Sequence, residues 1–301
     1  MPDLEIVDAH HHLWDLGGSL RRPWLEGPPI PFRYGDYSSI RRSYLPADYR
    51  RDTAHRKIVA TVHVETEVRR DQEVAETRWL QEIAEQHGFP NACVGHAHFE
   101  ADDVAAVLRG HVQHPLLRGI RQKPAAAKSA AEIVKGAPGS MSDPAWRRGY
   151  ARLADHGLHY ELQTPYWHLY EAAELAREFP DIRIILNHTG LPADRSEPGL
   201  KAWREAMAAF AAPANTRVKI SGIGQPGKPW TVEANRPVVL DTIAVFGVER
   251  CLFASNFPVD SVIASYDTIF DGFKAIVSHL PQADQRKLFR DNALREYRIR
   301  L

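Results

Sequence analysis

Eight short apolar runs punctuate this 301-residue chain, and all but the first give way to a helical pattern. No other feature narrows the available folds as much, because parallel neighbouring strands need crossover connections, usually helices. The runs predict strands over Leu4–His10, Ile58–Glu65, Ala92–His98, Leu117–Gln122, Leu158–Thr164, Ile182–Asn187, Arg217–Ser221 and Cys251–Ala254. Helices are expected over 70–87, 102–111, 169–179, 199–212, 236–246 and 263–279. Another should open at Ser142-Asp143-Pro144 and end at Gly157, since a cap residue followed by proline marks a helix start. A last helix, Ala283–Tyr297, lies within a closing segment 281–301. Eight such units predict an α/β fold, a single (β/α)8 TIM barrel spanning 1–301. An open doubly wound sheet is the alternative, but the glycine-rich phosphate turn it usually carries after an early strand is missing. Residues 13–56 form a long polar, aromatic and proline-rich stretch, read as an elaborated first βα loop over the barrel mouth.

Lysine plus arginine balances aspartate plus glutamate, so nothing marks a nucleic-acid surface. No apolar run is long enough to span a membrane, and the N-terminus does not read as a secretory leader. A cytoplasmic protein is expected, with Cys93 and Cys251 as buried free thiols. The partner is a small-molecule substrate. Homo-oligomerisation is left open.

Active-site residues of such barrels sit at the C-terminal ends of the strands. The first predicted strand offers His10 and His12, which alternate and so share a face. The second offers His63 and Glu65, the third His96 and His98, the fourth Arg121. The fifth carries His159, Glu161 and Gln163, with Tyr166 just beyond. The sixth ends at His188, the seventh gives Lys219 and Ser221, and the eighth ends at Asn256 with Asp260 close behind. Polar groups at every end are not what an apolar barrel interior requires. Asp8 is expected to bond inside the barrel, and His96, His98 and His159 to be structural.

These segments resemble the amidohydrolase superfamily, in its branch of sugar-acid lactonases and 2-pyrone-4,6-dicarboxylate lactonase. The likeness runs through Asp8–Asp15, Leu45–Arg50, Val62–Glu67, Gly119–Gln122, Leu186–Gly190, Lys219–Gly222, Phe253–Asp260 and Asn292–Tyr297. It implies a barrel hydrolase with its site at the mouth. The family's first-strand pair falls on His10 and His12, its sixth-strand histidine on His188, and its substrate-holding arginine on Arg121. Some members carry divalent metals and others in this branch need none.

One position departs from the pattern: the eighth strand usually ends in aspartate, and here it ends in Asn256. A neutral amide neither takes a proton from water nor binds a metal as an anion. With no bridging lysine either, a binuclear centre is not expected. The cofactor is none or a single divalent metal, zinc first, on His10, His12 and His188. The expected reaction is hydrolysis of a lactone or related cyclic ester of an acidic or polyhydroxylated compound. His188, Asn256 and Asp260 are the catalytic candidates, with His188 as first-choice base and Asp260 as second. Glu65, Arg121, Gln163, Tyr166 and Lys219 are assigned to substrate. The alternatives are a metal-dependent decarboxylase of a carboxylated ring and a non-catalytic relative that binds a small molecule.

Overall fold

The computed structural model describes residues 4–301; Met1–Asp3, the start of the expected domain, lie outside the described residues. Eight parallel strands pair in sequence order: β1 (Glu5–His11), β2 (Lys57–Val64), β3 (Ala92–Gly95), β4 (Leu117–Arg121), β5 (His159–Leu162), β6 (Ile184–Leu186), β7 (Thr216–Ile220) and β8 (Cys251–Phe253). Strand β8 returns to β1 just past its end. There Asn256 N donates to His10 O at 2.7 Å and His12 N to Phe257 O at 2.7 Å. The result is a (β/α)8 barrel.

The 13–56 insertion carries two short helices, α1 (Pro23–Glu26) and α2 (Pro46–Asp52). Around the barrel follow α3 (Glu73–His87), α4 (Val104–His111), α5 (Pro144–Ala151), α6 (Leu169–Glu178), α7 (Glu197–Ala211), α8 (Val232–Phe246) and α9 (Tyr266–Ile276). Asp143 caps α5 as expected, accepting from Ala145 N. Helix α8 begins a turn before the expected start. Thr231 caps it through Ala234 N, and Pro237 falls inside rather than in the first turn. The closing helix is broken into α10 (Gln282–Arg286), a π-helical turn over Lys287–Asp291, and α11 (Asn292–Glu296).

Alternation along the strands builds two apolar layers. One lies between strands and helices and includes Ile120, Leu162 and Val218. The other gathers Val62, Val94, Ile185 and Leu252 with Tyr297, which follows α11. Polar side chains share this second layer. Lys219 lies over the Tyr297 ring at 5.2 Å and pairs with Glu161 at 2.7 Å. Both cysteines are free and buried.

Candidate active site

Strand β1 does not alternate cleanly. Its register against β2 slips between Asp8 and His11, and such an irregularity re-aims side chains. Asp8 lies before this slip, on the outer face with Ile6, and bonds outward rather than inside the barrel. It accepts from Tyr49 of α2 at 2.9 Å and from the Ser255 hydroxyl at 2.6 Å. His10 and His12 turn to the mouth together, with their Nε2 atoms 3.3 Å apart. Two further residues reach the mouth from left-handed backbone, His188 at φ 54° and Asn256 at φ 56°. Non-glycine residues held there are uncommon outside functional or tightly constrained positions.

The donors and acceptors fix the protons. Val64 O can only accept, so His12 Nδ1, 2.8 Å away, carries hydrogen. Its Nε2 is then the lone pair of a neutral ring. Lys219 Nζ lies 3.5 Å from His10 Nδ1, which assigns hydrogen to His10 Nε2 and directs it at His12 Nε2. His188 is tied instead through Nδ1 to Ser221 Oγ at 2.9 Å, and its ring lies 4.8 Å from that of His10.

All three imidazoles are neutral at pH 7. Burial comes first for each. Lys219 then lowers His10 well below the usual range, Arg121 brings His12 to about 3, and Arg33 with Arg121 lowers His188 well below it.

A cavity of about 230 Å³ opens above these groups, lined by His12, His188, Asn256, Arg121, Glu65 and Gln163 together with residues of the insertion. Arg121 Nε and Nη2 donate to Glu65 Oε1 at 2.5 Å and Glu65 O at 2.8 Å, and Nη1 donates to Gln163 Oε1 at 3.2 Å. Burial alone would raise the Glu65 carboxyl, but Arg121, with His96 and Lys123, outweighs it and keeps the pKa below the ordinary value.

Four expected site residues, His10, Lys219, Tyr166 and Asp260, are not among those that line the cavity. Lys219 is wholly buried beneath His10, on Glu161. Tyr166 packs against Trp167, ring centroids 5.2 Å apart. Asp260 sits behind Asn256, accepting from its Nδ2 at 2.6 Å and from Tyr34 OH at 3.0 Å. Burial raises the Asp260 carboxyl, against the pull of Arg33.

The insertion supplies what the strand ends did not announce. Trp24 and Phe32, nearly parallel at 10°, join Ile30 and Pro31 as an apolar wall, and Arg33 lines the same cavity. Arg33 Nη2 is 3.4 Å from Asp260 Oδ1, its guanidinium lies 4.5 Å from the Tyr34 ring, and its Nη1 is buried with no partner. Gly222 makes this approach possible. At φ 60°, a Cβ there would meet His188 Nδ1 at 2.6 Å and Arg33 Nη2 at 2.7 Å. The one available signal was an arginine between aromatic residues, Phe32-Arg33-Tyr34.

The donor set does not assemble the expected three-histidine metal site. His10 and His12 Nε2 have the spacing of two ligands on a tetrahedral zinc, roughly 3.3 Å for bonds of about 2.0–2.1 Å. His188 does not complete it. Among the described residues, the trio of ligand atoms within 4.8 Å of one another is Glu73, His96 and His98. Arg33, Arg121 and Lys219 also lie about the mouth histidines, each paired with a carboxylate of its own, Asp260, Glu65 and Glu161.

A model of the amidohydrolase family matches residues 7–299. The chain belongs to the amidohydrolase family. It is 42% identical over 299 residues to the uncharacterized protein y4mH of Sinorhizobium fredii, covering 99% of this chain and 100% of that one. It is 27% identical over 264 residues to the L-fucono-1,5-lactonase of Burkholderia ambifaria, covering 86% of this amidohydrolase and 82% of the lactonase. Its fold matches that of an amidohydrolase from Burkholderia multivorans solved with bound zinc, with a TM-score of 0.81 and 22% identity over 98% of this chain and 99% of that one. Membership of this family and the lactonase relatives identify the protein as an enzyme of the superfamily. No described helix is long and apolar enough to cross a membrane.

Proposed function

We propose that this amidohydrolase hydrolyses a small lactone or related cyclic ester of a polyhydroxylated or acidic compound. The supporting observation is the convergence of His12, His188, Asn256 and Arg121 on one cavity at the barrel mouth, in a chain similar to an L-fucono-1,5-lactonase.

In this reading the lactone ring lies against Trp24 and Phe32, and its carbonyl oxygen points between Arg121 and Arg33. Water attacks the acyl carbon while His188 takes its proton. With His188 Nδ1–H on Ser221 Oγ, Nε2 holds the accepting lone pair. His12 Nε2 is already engaged by His10, which leaves His188 the freer base. An imidazole surrounded by arginines is weakly basic, but the same cations stabilise the oxyanion that forms as the proton moves. Collapse of the tetrahedral species breaks the ring C–O bond. The leaving alkoxide recovers the proton from His188, and the product is an open hydroxy acid. Lys219 holds His10 from below rather than touching the oxyanion.

The test is acid release from a panel of aldono-1,5- and aldono-1,4-lactones, L-fucono-1,5-lactone included. Turnover above the spontaneous rate is expected for the native chain and its loss for His188→Ala. No turnover of any lactone, or carbon dioxide release from a carboxylated ring instead, would overturn the reading.

A further inference from the structure

The chain carries a second His-x-His pair, His96 and His98, with the same spacing as His10 and His12. It lies just beyond β3 and away from the cavity lining. Both imidazoles turn Nδ1 to one atom, Glu73 Oε1, at 2.8 Å and 2.7 Å. Their rings stand nearly perpendicular, 80° apart with centroids 4.7 Å apart. Glu73 is the first residue of α3 and its side chain is almost wholly buried, whereas His98 is 34% exposed.

The support behind this trio is rigid. His111 of α4 donates Nε2–H to the His96 carbonyl at 2.8 Å, and its Nδ1 accepts from Thr77 Oγ1 at 2.8 Å. The backbone that presents His96 is thereby pinned from two helices. Held this way, two imidazole nitrogens and a carboxylate oxygen lie within 4.8 Å of one another, close enough to share one ion once the ring protons leave and the two hydrogen bonds open to ligand spacing. Two histidines and one carboxylate are a zinc donor set, with water in the fourth position.

We propose that Glu73, His96 and His98 form a binding site for a single zinc-type divalent cation, separate from the barrel mouth. Charge favours this place over the mouth. The trio brings a carboxylate of its own to the ion, which the three mouth histidines do not. The exposed edge of His98 gives the ion its way in. A bound ion would clamp the start of α3 to the segment after β3, on the flank of the mouth next to Glu65. The inference does not depend on the lactonase reading.

The test is metal binding by the full chain after chelator treatment, with Zn²⁺ titrated calorimetrically and Co²⁺ followed by its visible absorption. The native chain should bind one equivalent at this site, and His12→Ala should retain it. His98→Ala and the milder His98→Gln, each checked for native circular dichroism, should weaken it by at least about tenfold. A chain that binds neither ion at micromolar concentration overturns the proposal. So does a His98 variant that binds like the native chain, or loss of the ion in His12→Ala.

Discussion

Nε2 of His12 lies 3.2 Å from Oδ1 of Asn256, and both atoms are acceptors. The Val64 carbonyl puts the His12 hydrogen on Nδ1, and Asp260 claims the amide hydrogens of Asn256. The proton that relieves this contact comes from His10, whose Nε2 is 3.3 Å from His12 Nε2. The lysine beneath thus sets the protonation of the mouth through a line of two imidazoles. Asn256 occupies the place where the resemblance led us to expect an aspartate, and it ties His12 to a carboxylate one step removed.

Asn256→Asp would place a carboxylate directly against His12 Nε2. An adjacent anion favours imidazolium, so the His12 pKa should rise from about 3 by about one pH unit or more. The new carboxylate also faces Asp260, where an N–H···O bond of 2.6 Å stood. The variant should lose about 1–3 kcal/mol of stability at neutral pH. Histidine resonances followed through a pH titration check the first effect and urea unfolding the second. An unmoved His12 would show that the ring is not in contact with residue 256 in solution.

Arg121 and Glu65 are a buried pair, 4% and 1% exposed. Removing one partner strands the other charge, so Arg121→Met should cost about 3–5 kcal/mol. If Arg121 also holds the developing oxyanion, kcat/KM should fall roughly 100- to 1000-fold. The double variant Arg121→Met, Glu65→Gln separates the two effects: denaturant midpoints should recover and turnover should not. Recovery of both would make Arg121 structural.

The pair below the site governs behaviour in acid. Burial by itself pushes the Glu161 carboxyl up, but Lys219 at 2.7 Å, together with His159, brings it down to about 2 from an ordinary 4.5. A folded value below the unfolded one adds stability that is present above about pH 4.5 and lost as the pH falls toward 2. In Lys219→Met the chief opposing charge is gone while His159 remains, so the folded carboxyl rises and the loss of stability between pH 4.5 and 2 should shrink. At neutral pH that variant should lose about 3–5 kcal/mol. Urea midpoints for both proteins between pH 7 and pH 2.5 make the comparison, and parallel curves would count against the pairing.

Much of this architecture was legible in the residues because barrel geometry is periodic. Runs such as Leu117–Arg121 and Thr216–Ile220 are bounded by what two-residue alternation and crossover helices require. The strand-end placement of His10, His12, Arg121, His188 and Asn256 followed from the same rule. Contacts that depend on irregular backbone were not legible. The slip in β1 follows Asp8, so Asp8 faces α2 while His10, two residues on, faces the mouth, and no periodicity encodes a slip. Lys219 sits on the same strand face as expected, yet its depth relative to Glu161 and His10 is set by the pairing of three strands. Arg33 comes from an insertion whose path depends on aromatic packing among Trp24, Phe32 and Tyr37, which composition does not specify.

Arg33 gives the most direct test of what the insertion contributes. Its link to Asp260 is long at 3.4 Å and its Nη1 has no partner, while Asp260 keeps its bonds to Tyr34 and Asn256. Arg33→Met should therefore change stability by no more than about 1 kcal/mol. Catalysis should respond in two ways. Loss of an oxyanion donor should lower kcat roughly 100-fold for neutral and carboxylated lactones alike. Arg33 is also the charge that most lowers His188 after burial. Without it the imidazolium is less opposed, so the His188 pKa rises and the acid limb of the kcat/KM profile should move to higher pH. If instead KM alone rises, and only for carboxylated lactones, Arg33 recognises a substrate carboxylate and the carbonyl is polarised by Arg121 without it.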